Sequence, residues 1–164
     1  MLRDAGLLLL RLGVGGTMMA HGYPKLLGGP DKPPPEFLTR ALGPNFPEAV
    51  EKGGPGNFAE GLEKMGVPQP LLSAYLAGLA EFGGGLGILL GLKTRLAALA
   101  VIFNLGVAIK TVHWKSGFYG QGGFEFPTSL ATGAATLLLT GPGAFSLDGL
   151  CSKCCCSKGG EEGE

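Results

Sequence analysis

From Leu71 to Val112 only four charged side chains, Glu81, Lys93, Arg95 and Lys110, interrupt an otherwise apolar run. A helix rises ~1.5 Å per residue and the hydrocarbon core of a bilayer is about 30 Å thick, so about 20 mostly apolar residues cross it. Segments at about residues 5–23, 71–92, 94–112 and 124–140 approach that length, the last being short and rich in Thr and Ala. Hydrophobic residues make up 45% of the chain and charged ones 16%, with 31 glycines and a positive mean hydropathy, which suits one small membrane domain over residues 1–150 better than a soluble one. The predicted fold class is therefore all-α and integral to the membrane.

Arg3 ahead of the run Leu7 to Leu10 resembles the opening of a secretory signal, but Arg11 interrupts the apolar stretch and no small-x-small cleavage site follows. The first segment is read as a retained span. Dinucleotide fingerprints, P-loops, nucleophile elbows and zinc-type Cys/His spacings are missing, so no metal site is expected. Thirteen basic and thirteen acidic residues give zero formal charge and no sign of a nucleic-acid partner.

Residues 24–70 form the least regular stretch, with Pro33-Pro34-Pro35 and the turn-rich Lys52 to Asn57, and are read as a long loop outside the membrane. Within it, residues 36–42 and 57–65 are candidates for short amphipathic helices, the second with Phe58, Leu62 and Met65 on one side. Basic residues fall on both sides of the spans, so their count leaves orientation open, although Lys93 and Arg95 in so short a turn favour an inner location for it. Gly83, Gly87 and Gly91 follow the small-xxx-small pattern that lets helix backbones approach, and the Gly87 face is expected against a neighbouring span.

Leu9 to Gly15 followed by His21-Gly22-Tyr23-Pro24-Lys25-Leu26, then Met65-Gly66-Val67-Pro68, the run Ala80 to Arg95, Gly123 to Pro127 and Gly141 to Asp148 together resemble the DoxX family of bacterial and archaeal membrane proteins. The resemblance covers the chain except about residues 28–56 and the tail after Leu150. It implies a four-helix bundle in the cell membrane, with a long extracytoplasmic loop between the first and second spans and both termini cytoplasmic. Family members include a small subunit of a thiosulfate:quinone oxidoreductase and proteins associated with thiol and superoxide defence. The insertion at 28–56 departs from the shorter family pattern.

The tail, residues 151–164, is Cys-rich and then acidic, with Cys151, Cys154, Cys155 and Cys156 inside six residues. On the cytoplasmic side these thiols would stay reduced. Adjacent cysteines do not wrap one tetrahedral zinc, which leaves soft-metal or thiol exchange, lipidation, or a tail without chemistry.

Polar residues in or near the spans fall at two levels. Arg11, Glu81 and Asn104 lie near mid-depth, and a charge there is usually turned inward and paired. Arg11 and Glu81 are accordingly expected to meet as a bidentate ion pair between the first two spans. His21, Lys25, His113 and Glu125 lie near the outer boundary and are candidates for one ligand site at the mouth of the bundle, beside Trp114, which also reads as an interfacial anchor. At 100° per residue Asn104 and His113 fall on opposite faces of the third span, so the two levels join only if that helix ends early.

No residue pattern marks haem or an iron–sulfur cluster, so electrons passing here need a quinone or a partner subunit as carrier. Two functions follow. The first is a component of a membrane redox system, quinone- or thiol-linked, with redox proteins or a second copy of the chain as partners besides the lipid bilayer. The alternative is a non-enzymatic bundle that binds a small solute or scaffolds partner proteins.

Overall fold

The structure is a computed structural model and describes residues 1–151, which are all-α. Helix α1 spans Leu2–Leu27, α2 Glu36–Leu42, α3 Phe46–Glu51, α4 Pro55–Lys64, α5 Pro70–Leu90, α6 Thr94–Ala108 and α7 Glu125–Thr140. α6 runs on through a π-helical turn at Ile109–His113 and a 3₁₀ turn at Trp114–Ser116. Pro70–Leu90 and the continuous Thr94–Ser116 are long and apolar enough to cross a membrane. α1 has the length but carries Arg3, Asp4, Arg11 and Lys25, and α7 has 16 residues.

α1 and α5 lie antiparallel on matched stripes stepped alternately by four and three residues: Arg11, Gly15, Met18 and Gly22 on one, Ala74, Gly78, Glu81, Gly85 and Ile88 on the other, all buried. Such a stripe stays on one side of a helix, and small side chains let the axes approach where lipid offers no hydrophobic drive. A Cβ on Gly15 would lie 2.8 Å from both Gly85 O and Leu89 N, and one on Gly85 would lie 2.7 Å from Met19 N. α6 packs on the other side of α5, and α7 lies against α6 and α1. The shared core joins Val14 and Met18 of α1, Ile88 of α5, Ala98, Val101 and Leu105 of α6, and Ala134 and Leu137 of α7.

The small-residue stripe of α5 divides between neighbours. A Cβ on Gly87 would meet Ala97 Cβ of α6 at 2.9 Å, as expected of a packed face, whereas one on Gly83 meets nothing within 4 Å. Gly87→Leu is therefore predicted to destabilise by about 1–3 kcal/mol through overpacking, with Gly83→Leu close to neutral. Melting of the two variants in detergent checks the contrast.

Residues 24–70, read from sequence as a loop with candidate helices at 36–42 and 57–65, hold α2 and α4 at those places and α3 in addition. α1 continues through Pro24 to Leu27, and the Pro24 carbonyl accepts from Gly28 N (3.1 Å) and Gly54 N (2.8 Å), which ties the 50–54 turn onto the end of α1. Phe46 and Val50 of α3 are buried there, with Phe46 beside Tyr23 at 5.6 Å between ring centroids. α2 has no buried residue. α4 packs Ala59 and Leu62 against Ala74 at the start of α5. Met65 falls past the end of α4 and is exposed, because the turn into Gly66 takes it off the face that Phe58 and Leu62 share.

Candidate functional site

Arg11 and Glu81 do not meet. Glu81 packs at the level of Gly22, whose Cβ would lie 2.8 Å from Glu81 Cβ, so Arg11 sits three helical turns away on α1, roughly 16 Å at 1.5 Å per residue. No Arg side chain covers that distance. The expected pair rested on a register that α1, running one turn further than read, does not adopt.

Arg11 is 2% exposed and spends its fork on carbonyl groups instead. Nε donates to Ile88 O at 2.9 Å and Nη2 to Leu89 O at 2.7 Å, while Nη1 donates to Phe145 O and, at 3.3 Å, to Pro142 O. The last carbonyls of a helix lack intrahelical donors and carry its negative dipole end, so a guanidinium there satisfies both. Gly91, at φ +68°, ends α5 in the left-handed region, and a Cβ on it would strike Arg11 Cζ at 2.8 Å.

Asp148 completes this end of the molecule. Its carboxylate accepts from Lys93 N (2.8 Å), Thr94 N (3.0 Å) and Thr94 Oγ1 (3.1 Å), which caps α6. Burial raises the Asp148 pKa, but the Thr94 and Lys93 amides, the Thr94 hydroxyl and the Arg11 charge together hold it below the ordinary carboxylate value. A depressed folded-state pKa contributes stability that is present above the unfolded value, about 3.9, and is lost as pH falls through the folded value. Asp148→Ala is predicted to cost ~0.5–2 kcal/mol at neutral pH, as for a lost helix cap, and the gap from wild type should narrow as pH falls below about 3.9 and close below the depressed folded-state value. Melting both proteins from neutral pH down through that range measures it.

At the opposite end, Glu81 is 4% exposed and pairs with a different cation. Lys25 Nζ donates to Glu81 Oε1 at 2.6 Å, and Asn104 Nδ2 donates to the same oxygen at 3.0 Å. Lys25 also lies over the Phe58 ring, 5.0 Å from its centroid. Glu81 and Asn104 of the mid-depth level thus join Lys25 of the outer level in one connected cluster, from which Arg11 is excluded. Arg11, Met18 and Lys25 follow at steps of seven and share a face, so the sequence offered two cations for one carboxylate.

Glu81 also lines a cavity of about 330 Å³, together with His21, Lys25, His113, Glu125 and Phe126. All four outer residues singled out from sequence therefore share one cavity, which Asn104 supports from behind through Glu81. Met18, Leu105 and Leu130 make much of the remaining wall apolar. α6 leaves regular helix at Ala108, and the wider i→i+5 turn that follows changes the angular step, so His113 reaches the cavity that the wheel had set opposite Asn104.

Short-range bonds hold the rim. Phe124 N donates to Gly117 O (3.1 Å) and Glu125 N to Phe118 O (3.0 Å), folding residues 114–124 back on themselves, and Trp114 stacks on Phe124 at 5.5 Å. His113 Nδ1 lies 2.8 Å from Gly122 O, and His21 faces the Phe126 ring at 5.9 Å. Among the described residues no group of three or more His, Cys, Asp or Glu side chains is placed to hold a metal ion. Cys151 is exposed, and the rest of the tail lies outside the described residues.

Residues 6–114 match the family described as DoxX. The chain is similar to the uncharacterized membrane protein Rv3486 of Mycobacterium tuberculosis, with 32% identity over 152 residues covering 82% of this chain and 91% of that protein. It is 40% identical over 96 residues to the inner membrane protein YqjF of Escherichia coli, covering 56% of this chain and 70% of that one. The inner membrane protein YphA of the same organism is 29% identical over 152 residues, 89% of this chain and 90% of its own. No solved structure matches the chain.

Proposed function

The chain belongs to the DoxX family of membrane proteins, and on that premise we propose that α1, α5, α6 and α7 cross the bilayer as a four-helix bundle that holds a small ligand, the ring of a membrane quinone, in the cavity between Glu81 and His113. The convergence of His21, Lys25, Glu81, His113 and Glu125 on one largely apolar cavity carries this reading. Ligand sites combine an apolar wall with a few placed polar groups, and between the helices of a bundle is a usual place for them. On this reading the protein is a component of a membrane redox system, with the quinone as carrier and a redox protein as partner.

Both termini lie in the cytoplasm and the cavity opens outward, with α2 to α4 covering the outer end. The turn holding Lys93 and Arg95 lies at the same end as Arg3, in accord with the inward bias of basic residues. An impermeant thiol reagent added to whole cells should reach Cys151 only after lysis.

Trp114 is the chain's single tryptophan and adjoins His113, so its fluorescence reports on the cavity. Titration of the protein in lipid nanodiscs with a short-chain quinone should give saturable quenching, weakened about tenfold or more by His113→Ala, the loss of about one ligand hydrogen bond. Quenching that fails to saturate, or is unchanged in the variant, would favour the alternative of a bundle that scaffolds partners or takes another solute.

A further inference from the structure

The cavity wall is unevenly equipped with hydrogen-bonding groups. Lys25 and Asn104 both donate to Glu81 Oε1, while the buried Oε2 has no hydrogen-bond partner among the described residues. The carboxylate half of an ion pair offers acceptors only, and buried acceptors are nearly always matched by a donor. His113 repeats the pattern. The Gly122 carbonyl beside its Nδ1 can only accept, so Nδ1 carries the hydrogen, and a ring with a single hydrogen has Nε2 as an acceptor. Glu125 adds a second carboxylate to the lining. Against these stand two donor groups on the same lining: the ring N–H of His21, offset by the acceptor on its other nitrogen when neutral, and the Lys25 ammonium, already held between Glu81 and the face of Phe58.

From this surplus of acceptors we infer that the cavity's ligand presents hydrogen-bond donors at its polar end, so that the site holds the dihydroxy, reduced form of a quinone in preference to the dicarbonyl form. The inference rests on the quinone reading above and deepens it. A dicarbonyl ring brings two further acceptors to a wall already rich in them, whereas two hydroxyl groups supply what Glu81 Oε2 and its neighbours lack. A protonated amine would also donate to Oε2, but neutral hydroxyls on a ring suit the apolar remainder of the wall without adding a charge to it.

Anaerobic calorimetric titration of the full chain in nanodiscs, with decylubiquinol, decylubiquinone and octylamine as separate ligands, tests this. The reduced quinone should bind at least about tenfold more tightly than the oxidised one. Glu81→Gln, which replaces an acceptor by a group able to donate, should bring the two affinities close to equality. Equal affinities, tighter binding of the oxidised form, or an undiminished preference in a Glu81→Gln protein that melts as wild type does would overturn the inference and leave the quinone reading standing. Binding of neither quinone form, with or without binding of octylamine, would overturn the quinone reading and the inference with it. The comparison on the unaltered protein decides the matter even where the variant fails to fold.

Discussion

Arg11→Leu is expected to abolish stable assembly, with the protein recovered from membranes in low yield or melting far below wild type. Four carbonyl oxygens from two distant segments converge on this guanidinium: Ile88 and Leu89 at the end of α5, and Pro142 and Phe145 after α7. Leucine fills part of the volume and satisfies none of them. Ile88 O keeps the Gly91 amide at 3.1 Å, but leaving two of the other, part-buried carbonyls without this donor costs about 1–3 kcal/mol each, so the expected loss is roughly 2–6 kcal/mol, a large share of the margin by which a domain is folded. Arg11→Lys should rescue little, because one ammonium lacks the planar fork that reaches both segments at once. Since the two side chains belong to separate clusters, losses from Arg11→Leu and Glu81→Ala should add, and Glu81→Ala should be offset in part by Lys25→Met. Thermal melts of these variants in one detergent give the comparison, and strong coupling between Arg11 and Glu81 would count against the carbonyl clamp.

Gly22→Val is the second substitution with a large expected effect. A Cβ at this position would lie 2.3 Å from Phe82 N and 2.8 Å from Phe82 Cα, atoms of the α5 backbone that no rotamer change can clear. α1 and α5 would have to separate where the Lys25–Glu81 pair joins them, opening both the core and the cavity floor. Overpacking ordinarily costs about 1–3 kcal/mol, and a clash with backbone belongs at or above the top of that range. Gly16→Val is the control, since a Cβ on Gly16 meets nothing within 4 Å. The pair should differ by more than about 2 kcal/mol in stability, read by melting or by resistance to proteolysis.

Much of the architecture is legible in apolar run length, because helix rise and apolar composition mark the long helices whatever they pack against. The all-α class follows from it, and His21, Lys25, His113 and Glu125, picked out by their level near the outer boundary, line one cavity. Register is harder to read. Arg11 and Lys25 stand on the same face of α1 two heptads apart, and which of them meets Glu81 depends on how far α1 slides along α5, a quantity fixed by the Gly15, Gly22 and Gly85 contacts rather than by charge. The carbonyl clamp around Arg11 joins residues more than 130 positions apart, and no spacing rule announces it. The π-helical turn at Ile109–His113 is equally silent in a pattern of 100° steps, yet it brings His113 round to the cavity. Helices α2 and α4 stand where the sequence offered candidates at 36–42 and 57–65, whereas α3 is obscured by proline and glycine, which serve here in the first turns of α3 and α4 at Pro47 and Pro55 and as close contacts on the Pro24 carbonyl rather than as marks of irregular chain.

The cavity as a ligand site is tested most directly by filling it. Ala108 lines the wall at the end of α6, and Ala108→Phe adds a ring to a space of about 330 Å³ while leaving every polar group in place. Wild-type protein purified in nanodiscs and extracted for mass spectrometry should carry near-stoichiometric quinone, and the Ala108→Phe protein, melting as wild type does, should carry almost none. Equal quinone in the two proteins, or none in either, would contradict the account.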